Sequence, residues 1–341
     1  MFARYPKVST IGTTRDPLSD LLVMAEFLES PDYVVEILST RHNVSAGDAA
    51  RRAARIGPHV RTALAYLTQA FSGPAEVAFL PAYYGILNLI KVYILTSSKH
   101  MQLNQNRWHG AAYDVYRKAS RNLKTEEVTV HPHGAISLFY EVITGRSISQ
   151  KTRIKMGDVY PYIQNVGAEW DIAASPEHRL RGADIVVTLD NGAAQKSLEI
   201  RIGHRPHLRP ITLRNLPFLV DVRRGPPTPF AEVFHAKSRY PATMTDDEIM
   251  SRHLRRELFY CPLERNAFVA LCTSRLLMFE ELPIVLAFFH LSSVARYNPE
   301  LLTRLRESRY WPVISSLRYH GVARFMLLFW SHIQQELILF K

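Results

Sequence analysis

The 341 residues predict a mainly α protein, a helical bundle interrupted by a small β-strand insertion. Three observations predict it. Ala-rich or apolar stretches with helix-start residues before them occupy both ends of the chain, whereas strand-like runs are confined to about residues 184–234. A chain that is 47% hydrophobic and 21% charged can bury a core, which excludes disorder of the whole. The expected organisation is an N-terminal helical region (1–175), a basic β-containing insertion (176–240) and a C-terminal helical region (241–341) packing on the first.

The elements follow in order. Ser30-Pro31-Asp32 places an N-cap residue, a proline at the first helical position and an acid in the first turn, where the helix dipole favours it. A short helix through Tyr33, Val34, Ile37 and Leu38 should follow. Residues Ala46 to Phe71 favour helix except at Ile56-Gly57-Pro58, where glycine and proline together should split it in two. Leu80 to Leu95 is apolar nearly all round and is the expected central helix. Val77 to Thr96 approaches the length of a membrane span but contains Pro81, Asn88 and Lys91, and an unpaired Lys in lipid costs roughly 2.5 kcal/mol or more. A buried helix is expected there, and no membrane partner.

Ile185-Val186-Val187-Thr188-Leu189 and Leu198-Glu199-Ile200-Arg201-Ile202 flank the turn signal Asp190-Asn191-Gly192 and predict two paired strands. Phe218 to Val222 predicts a third. Thr245 and Glu248 stand three apart as a capping box, so a helix should run to about Tyr260 and stop near Pro262. The apolar stretch Leu263 to Arg296 is interrupted at Glu280-Glu281-Leu282-Pro283, Asn298-Pro299 supplies another helix start, and a last helix is expected over about Val322 to Phe340.

Two cysteines, Cys261 and Cys272, exclude a disulfide framework and a four-cysteine metal site, so a reduced, cytoplasmic setting is expected. The first residues lack the uninterrupted apolar stretch of a signal peptide. No phosphate loop, GxGxxG or GxSxG elbow occurs, which removes support from ATPase, dehydrogenase and hydrolase readings. The histidine pairs His131/His133 and His204/His207 have no zinc-like neighbours, and neither a metal nor another cofactor is expected. Asp190 with Glu199-Ile200-Arg201 approximates a metal-dependent nuclease layout, but Arg201 stands where a lysine would activate water, so an ordinary hairpin is favoured.

Forty-two Lys and Arg against 31 Asp and Glu set a net charge of +11 and a pI near 9.7, which suits a polyanion. From Arg201 to Arg239 eight basic residues face two acids. Arg201, Arg205, Arg209, Arg214, Arg223 and Arg224 could form a phosphate-binding face. Arg318 and Arg324 belong to a second group on the C-terminal helices, where Tyr297, Tyr310, Trp311 and Tyr319 are interleaved and would suit stacking on bases.

Glu26 to Pro31, Leu80 to Lys91, His109-Gly110 and Leu291 to Pro299 resemble the ordered landmarks of the YaaC-like bacterial proteins, a resemblance that implies architecture more than activity. The double tyrosine Tyr83-Tyr84, with His109 about two dozen residues on, also resembles the HEPN helical domain of toxins and defence proteins. Many such domains cleave RNA without metal through an Arg and a His four to six residues apart on one helix. Here the helix lacks that pair. Arg52 with His59, across Gly57-Pro58, and Arg201 with His207, in strand-like sequence, are its nearest approximations.

The resemblance implies a HEPN-like core that binds nucleic acid, RNA in preference to DNA, or a protein partner, in a stress or defence system, with a homo-oligomer as one possible form. A metal-independent ribonuclease is the alternative, and a structural subunit a second one. For catalysis the expected residues are His109 as general base beside Tyr84 and Arg296 as phosphate stabiliser, brought together by the fold.

Overall fold

The structure is a computed structural model and describes residues 8–12, 16–106, 108–114, 122–163, 166–174, 180–190, 194–203, 222–228, 231–245, 249, 258–261, 266–270 and 279–340. It is mainly α with a smaller β portion, and the chain forms two compact units. The β-containing unit comprises residues 1–11, 178–278 and 336–341, and the helical unit comprises 12–177 and 279–335. The first strand, β1 (Val8–Ile11), belongs to the β-containing unit.

The helical unit opens with α1 (Pro17–Glu26), α2 (Pro31–Arg41) and α3 (Ala46–Ser72). Gly57-Pro58 does not split α3. Ala54 and Pro58 lie on its exposed face, so the carbonyl that loses its i+4 donor can be hydrated, while a Cβ at Gly57 would stand 3.3 Å from the Glu29 carbonyl oxygen. Proline therefore faces water and glycine admits a close neighbour. Next, α4 (Ala75–Thr96) packs along α3. A Cβ on Gly85 would lie 2.7 Å from Leu67 Cγ, which shows how closely the two backbones approach. Nearly every residue of α4 from Phe79 on is buried.

A small antiparallel sheet follows, β2 (Ala111–Tyr113), β3 (Glu127–Val130) and β4 (Thr152–Lys155), with α5 (Ala135–Thr144) inserted between its last two strands. Two short helices, α6 (Met156–Val159) and α7 (Gly167–Ala174), end this half. The chain re-enters the unit as α8 (Glu281–Tyr297), buried from Glu281 to Val294 and packed on α4. The residues Glu280 to Pro283 that looked like an interruption are its first turn. Asn298 then caps α9 (Pro299–Arg306) by accepting from the Leu301 amide at 3.2 Å, as its sequence predicts. After α10 (Trp311–Ser316) and a π turn at Leu317–Gly321 comes α11 (Val322–Gln334), which packs on α4 and α1. Burying one Leu, Ile or Phe side chain contributes roughly 1.5–3 kcal/mol, so α4 and α8, each with a long run of fully buried side chains, anchor the unit.

In the β-containing unit the hairpin is as expected. β5 (Leu180–Asp190) and β6 (Gln195–Gly203) pair antiparallel, and Leu198, Ile200 and Ile202 of β6 alternate inward. The sheet continues through β7 (Val222–Arg224), β8 (Ala231–Ala236), β9 (Tyr240–Pro241), β10 (Leu258–Cys261) and β11 (Asn266–Ala270) in the order β10-β11-β5-β6-β8-β7, with β9 on β6. Three expectations are corrected here. The unit boundary expected at residue 240 falls at 278, because β10 and β11 extend the sheet. Residues 258–260, expected as the end of a helix running to about Tyr260, belong instead to the strand Leu258–Cys261. The last helix ends at Gln334, where Gln335 turns left-handed at φ 53°, and β12 (Leu337–Phe340) then pairs parallel with β1. Of the expected third strand, residues 218–221 lie outside the described residues, and most of the capping-box helix does so too.

Candidate functional site

Three parts of the helical unit meet at His109. The first is α4, which turns Tyr83 inward and leaves Tyr84 and Lys91 half-buried. The second is the segment that holds His109. Gly110 (φ +84°) and Gly134 (φ +108°) cross there so closely that a Cβ on Gly134 would lie 2.5 Å from Gly110 Cα; only glycine fits both the contact and the backbone. The carbonyls of Trp108 and His109 accept from the Ala135 and Ile136 amides, each at 2.9 Å. They thereby satisfy donors that the first turn of α5 leaves open, and the histidine backbone is fixed in return. The third is the last turn of α8, which supplies Arg296 and whose dipole favours a cation.

The expected trio does converge. Arg296 Nη1 donates to the Tyr84 hydroxyl at 3.2 Å, and its guanidinium carbon lies 6.0 Å from the Tyr84 ring centre and 4.9 Å from that of Tyr297. The Tyr84 and His109 rings lie 6.2 Å apart. The direct partner of His109 is instead Tyr83, whose hydroxyl lies 2.6 Å from Nδ1 with the rings stacked at 5.5 Å. Tyr83 is fully buried, and burial holds its phenol well above the usual tyrosine range. The phenol keeps its proton, and Nδ1 is the sole acceptor for it among the described residues. That hydrogen bond assigns the neutral tautomer with the proton on Nε2, as a donor facing outward.

Further along α4, Asn88 donates to the Tyr84 carbonyl at 2.8 Å and accepts from His59 Nδ1 at 2.9 Å. Burial, then the positive charges of Arg296 and Lys91, hold the His109 imidazole below its ordinary value. His59 is lowered in the same way, by burial first and also by Lys91 and Arg55. Lys91 is itself lowered by burial. Among the described residues Arg296 has no carboxylate partner and a buried, unbonded Nε, and Lys91 has neither an ion pair nor a hydrogen bond. Two half-buried cations beside a histidine without a balancing acid form an arrangement that an anion would stabilise.

The other arginines fare differently. Arg324, expected on the surface, is 5% exposed and donates through Nε to the buried Glu280 at 2.8 Å. Arg318 turns inward and donates to the carbonyls of Ala70, Phe71 and Gly73 at 2.8–2.9 Å, closing the end of α3. Both satisfy internal acceptors rather than facing a ligand. Arg201 donates to Glu199 at 2.5 Å, and Arg224 to the buried Glu232 at 2.5 and 3.0 Å, while Arg223 is exposed on β7. Arg205, Arg209 and Arg214 lie outside the described residues. In the hairpin, Asp190 pairs in register with Gln195, four residues from Glu199. That separates the two acids by about 13 Å along the strand, too far for one metal ion. No group of three or more metal-ligating residues occurs among the described residues.

The chain is matched over residues 26–333 by the family model described as YaaC-like Protein. The protein belongs to the YaaC-like family. The match spans all the landmarks from Glu26 to Pro299 and, with them, every element of the His109 cluster. It does not extend to the HEPN likeness. Comparison with curated proteins and with solved structures returned no match. Sequence reasoning placed Tyr84, His109 and Arg296 but missed Tyr83 and Lys91 as members. The available signal was the pair Asn88 and Lys91 inside an otherwise apolar helix, read only as an argument against a membrane span.

Proposed function

We propose that this YaaC-like protein binds the phosphodiester backbone of nucleic acid at the His109 cluster. What supports the reading is the pair of half-buried cations, Lys91 and Arg296, that flank His109 with no carboxylate to neutralise them. Arg296 would fork onto phosphate oxygens, Lys91 would supply a point charge, and His109 Nε2 would donate a hydrogen bond. Arg55 of α3, half-buried and donating to Asn104 at 2.9 Å, adds a further positive charge within reach of His59. The ribonuclease alternative uses the same groups with His109 as base. It is disfavoured because a base needs a bare Nε2, whereas the buried Tyr83 hydroxyl puts the proton there.

Binding of labelled RNA and DNA strands across a salt series tests the proposal. With about three phosphate contacts the slope of log K against log salt should be about −2. Arg296→Met and Lys91→Met should each lower affinity about tenfold and flatten the slope by about 0.7. Affinity that is absent, insensitive to salt or unchanged in both variants overturns the reading. RNA incubated with the protein in EDTA should stay intact.

A further inference from the structure

Resting on that phosphate-binding reading, we infer that the ligand is single-stranded and that its bases stack on two exposed aromatic side chains that adjoin the site along the chain, Trp108 and Tyr297. Among the described residues many of the large aromatics of the helical unit, Trp170, Trp330, Tyr83, Tyr93, Tyr160 and Tyr162 among them, are fully buried. Trp108 is 45% and Tyr297 55% exposed. Each adjoins a member of the site along the chain, Trp108 beside His109 and Tyr297 beside Arg296.

Their placement is fixed rather than incidental. The Trp108 carbonyl is tied to the Ala135 amide, and its ring meets His131 edge-on at 5.3 Å. Tyr297 carries the Arg296 guanidinium on its ring at 4.9 Å, so an aromatic plane stands next to the atom group that would hold a phosphate. Tyr84, stacked on Tyr66 at 5.5 Å, supports the same guanidinium from another side. A phosphate held at Arg296 and His109 brings the neighbouring bases of its strand toward Tyr297 and Trp108, and a base has two π-faces to offer. In a duplex those faces are covered by neighbouring pairs, and phosphate contacts alone would remain. Of the other exposed large side chains in this unit, Ile172 and Met101 are aliphatic, Phe27 packs on Tyr33, and Tyr319 donates to Asp16 and meets Phe71; none of them adjoins His109 or Arg296 along the chain.

The test is fluorescence anisotropy on the full chain with four labelled probes of equal length: an oligouridylate, an oligothymidylate, an abasic strand and a duplex. Both base-bearing single strands should bind about tenfold more tightly than the abasic strand and the duplex, the order expected for one stacked base. Trp108→Ala should erase much of that advantage while leaving the abasic strand's affinity unchanged, Tyr297→Ala should lower base-bearing strands by more than it lowers the abasic strand, and Trp108→Phe should keep the advantage. Both positions are exposed, so the variants should melt like the parent. If the abasic strand or the duplex binds as well as the base-bearing strand, or if both Ala variants keep the advantage, the stacking inference is overturned and phosphate binding survives. If no probe binds, both fall.

Discussion

At the scale of single residues, Lys91 separates a ligand site from an ordinary surface. A lysine that merely solvates a helix face can be replaced with little change in stability, whereas one held half-buried within charge reach of His109 and His59, with no ion pair among the described residues, opposes folding until an anion arrives. Lys91→Met should therefore stabilise the ligand-free protein by about 1 kcal/mol while weakening strand binding. Urea unfolding and anisotropy on the same preparation would show the opposite signs, and a variant that loses stability would mean that Lys91 is structural. The three residues expected to meet were legible from the ordered landmarks of the family pattern. That Tyr83, in the same landmark, is the partner of His109 was not, because adjacent tyrosines on a helix point about 100° apart. Which of the two faces inward depends on α8 and on the His109 segment, neither of which is local to that stretch.

Among the elements, the α3–α4 contact sets the frame on which the site rests, since α4 carries Tyr83, Tyr84, Asn88 and Lys91 and α3 carries His59 and Tyr66. Gly85 is the point of nearest approach, with the space for a Cβ already filled by Leu67 Cγ at 2.7 Å and the Ala63 carbonyl oxygen at 3.2 Å. Gly85→Ala raises helix propensity yet should cost roughly 1–3 kcal/mol through overpacking. A thermal melt measures it, and a stabilised variant would show that the helices can separate without penalty. Helices with caps or long apolar runs, such as α2, α4 and α9, were readable because their signals lie within each segment. The continuity of α3 was not: it depends on Pro58 facing water and Gly57 facing Glu29. Residues 258–260 and Leu337–Phe340 were misread as helix because short apolar runs fit both periods, and only pairing with β11 and β1 decides for strand.

Taken as a whole molecule, the chain carries a histidine-dependent response to pH whose two readouts run in opposite directions. His42, His59 and His109 are all lowered from 6.5, each by burial first; Arg52 adds to this for His42, as do the neighbouring cations named above for the other two. A histidine lowered in the folded state is neutral in both states above 6.5. As pH falls below that value the unfolded chain takes up protons first, so stability declines toward the folded-state values. Asp16 and Asp48 are lowered from 3.8, mainly by side-chain hydrogen bonds, and their effect begins only in more acidic solution. The urea midpoint should therefore drop between pH 7 and pH 5.5. Strand binding should strengthen over the same interval, because an anion beside His109 offsets the charges of Arg296 and Lys91 and lets the imidazole take up a proton at Nδ1, where the Tyr83 hydroxyl then turns from donor to acceptor. His109→Gln should abolish the pH dependence of binding yet retain part of that of stability, carried by His42 and His59. If affinity instead falls in parallel with stability, or if the variant binds with the parent's pH profile, His109 does not touch the ligand.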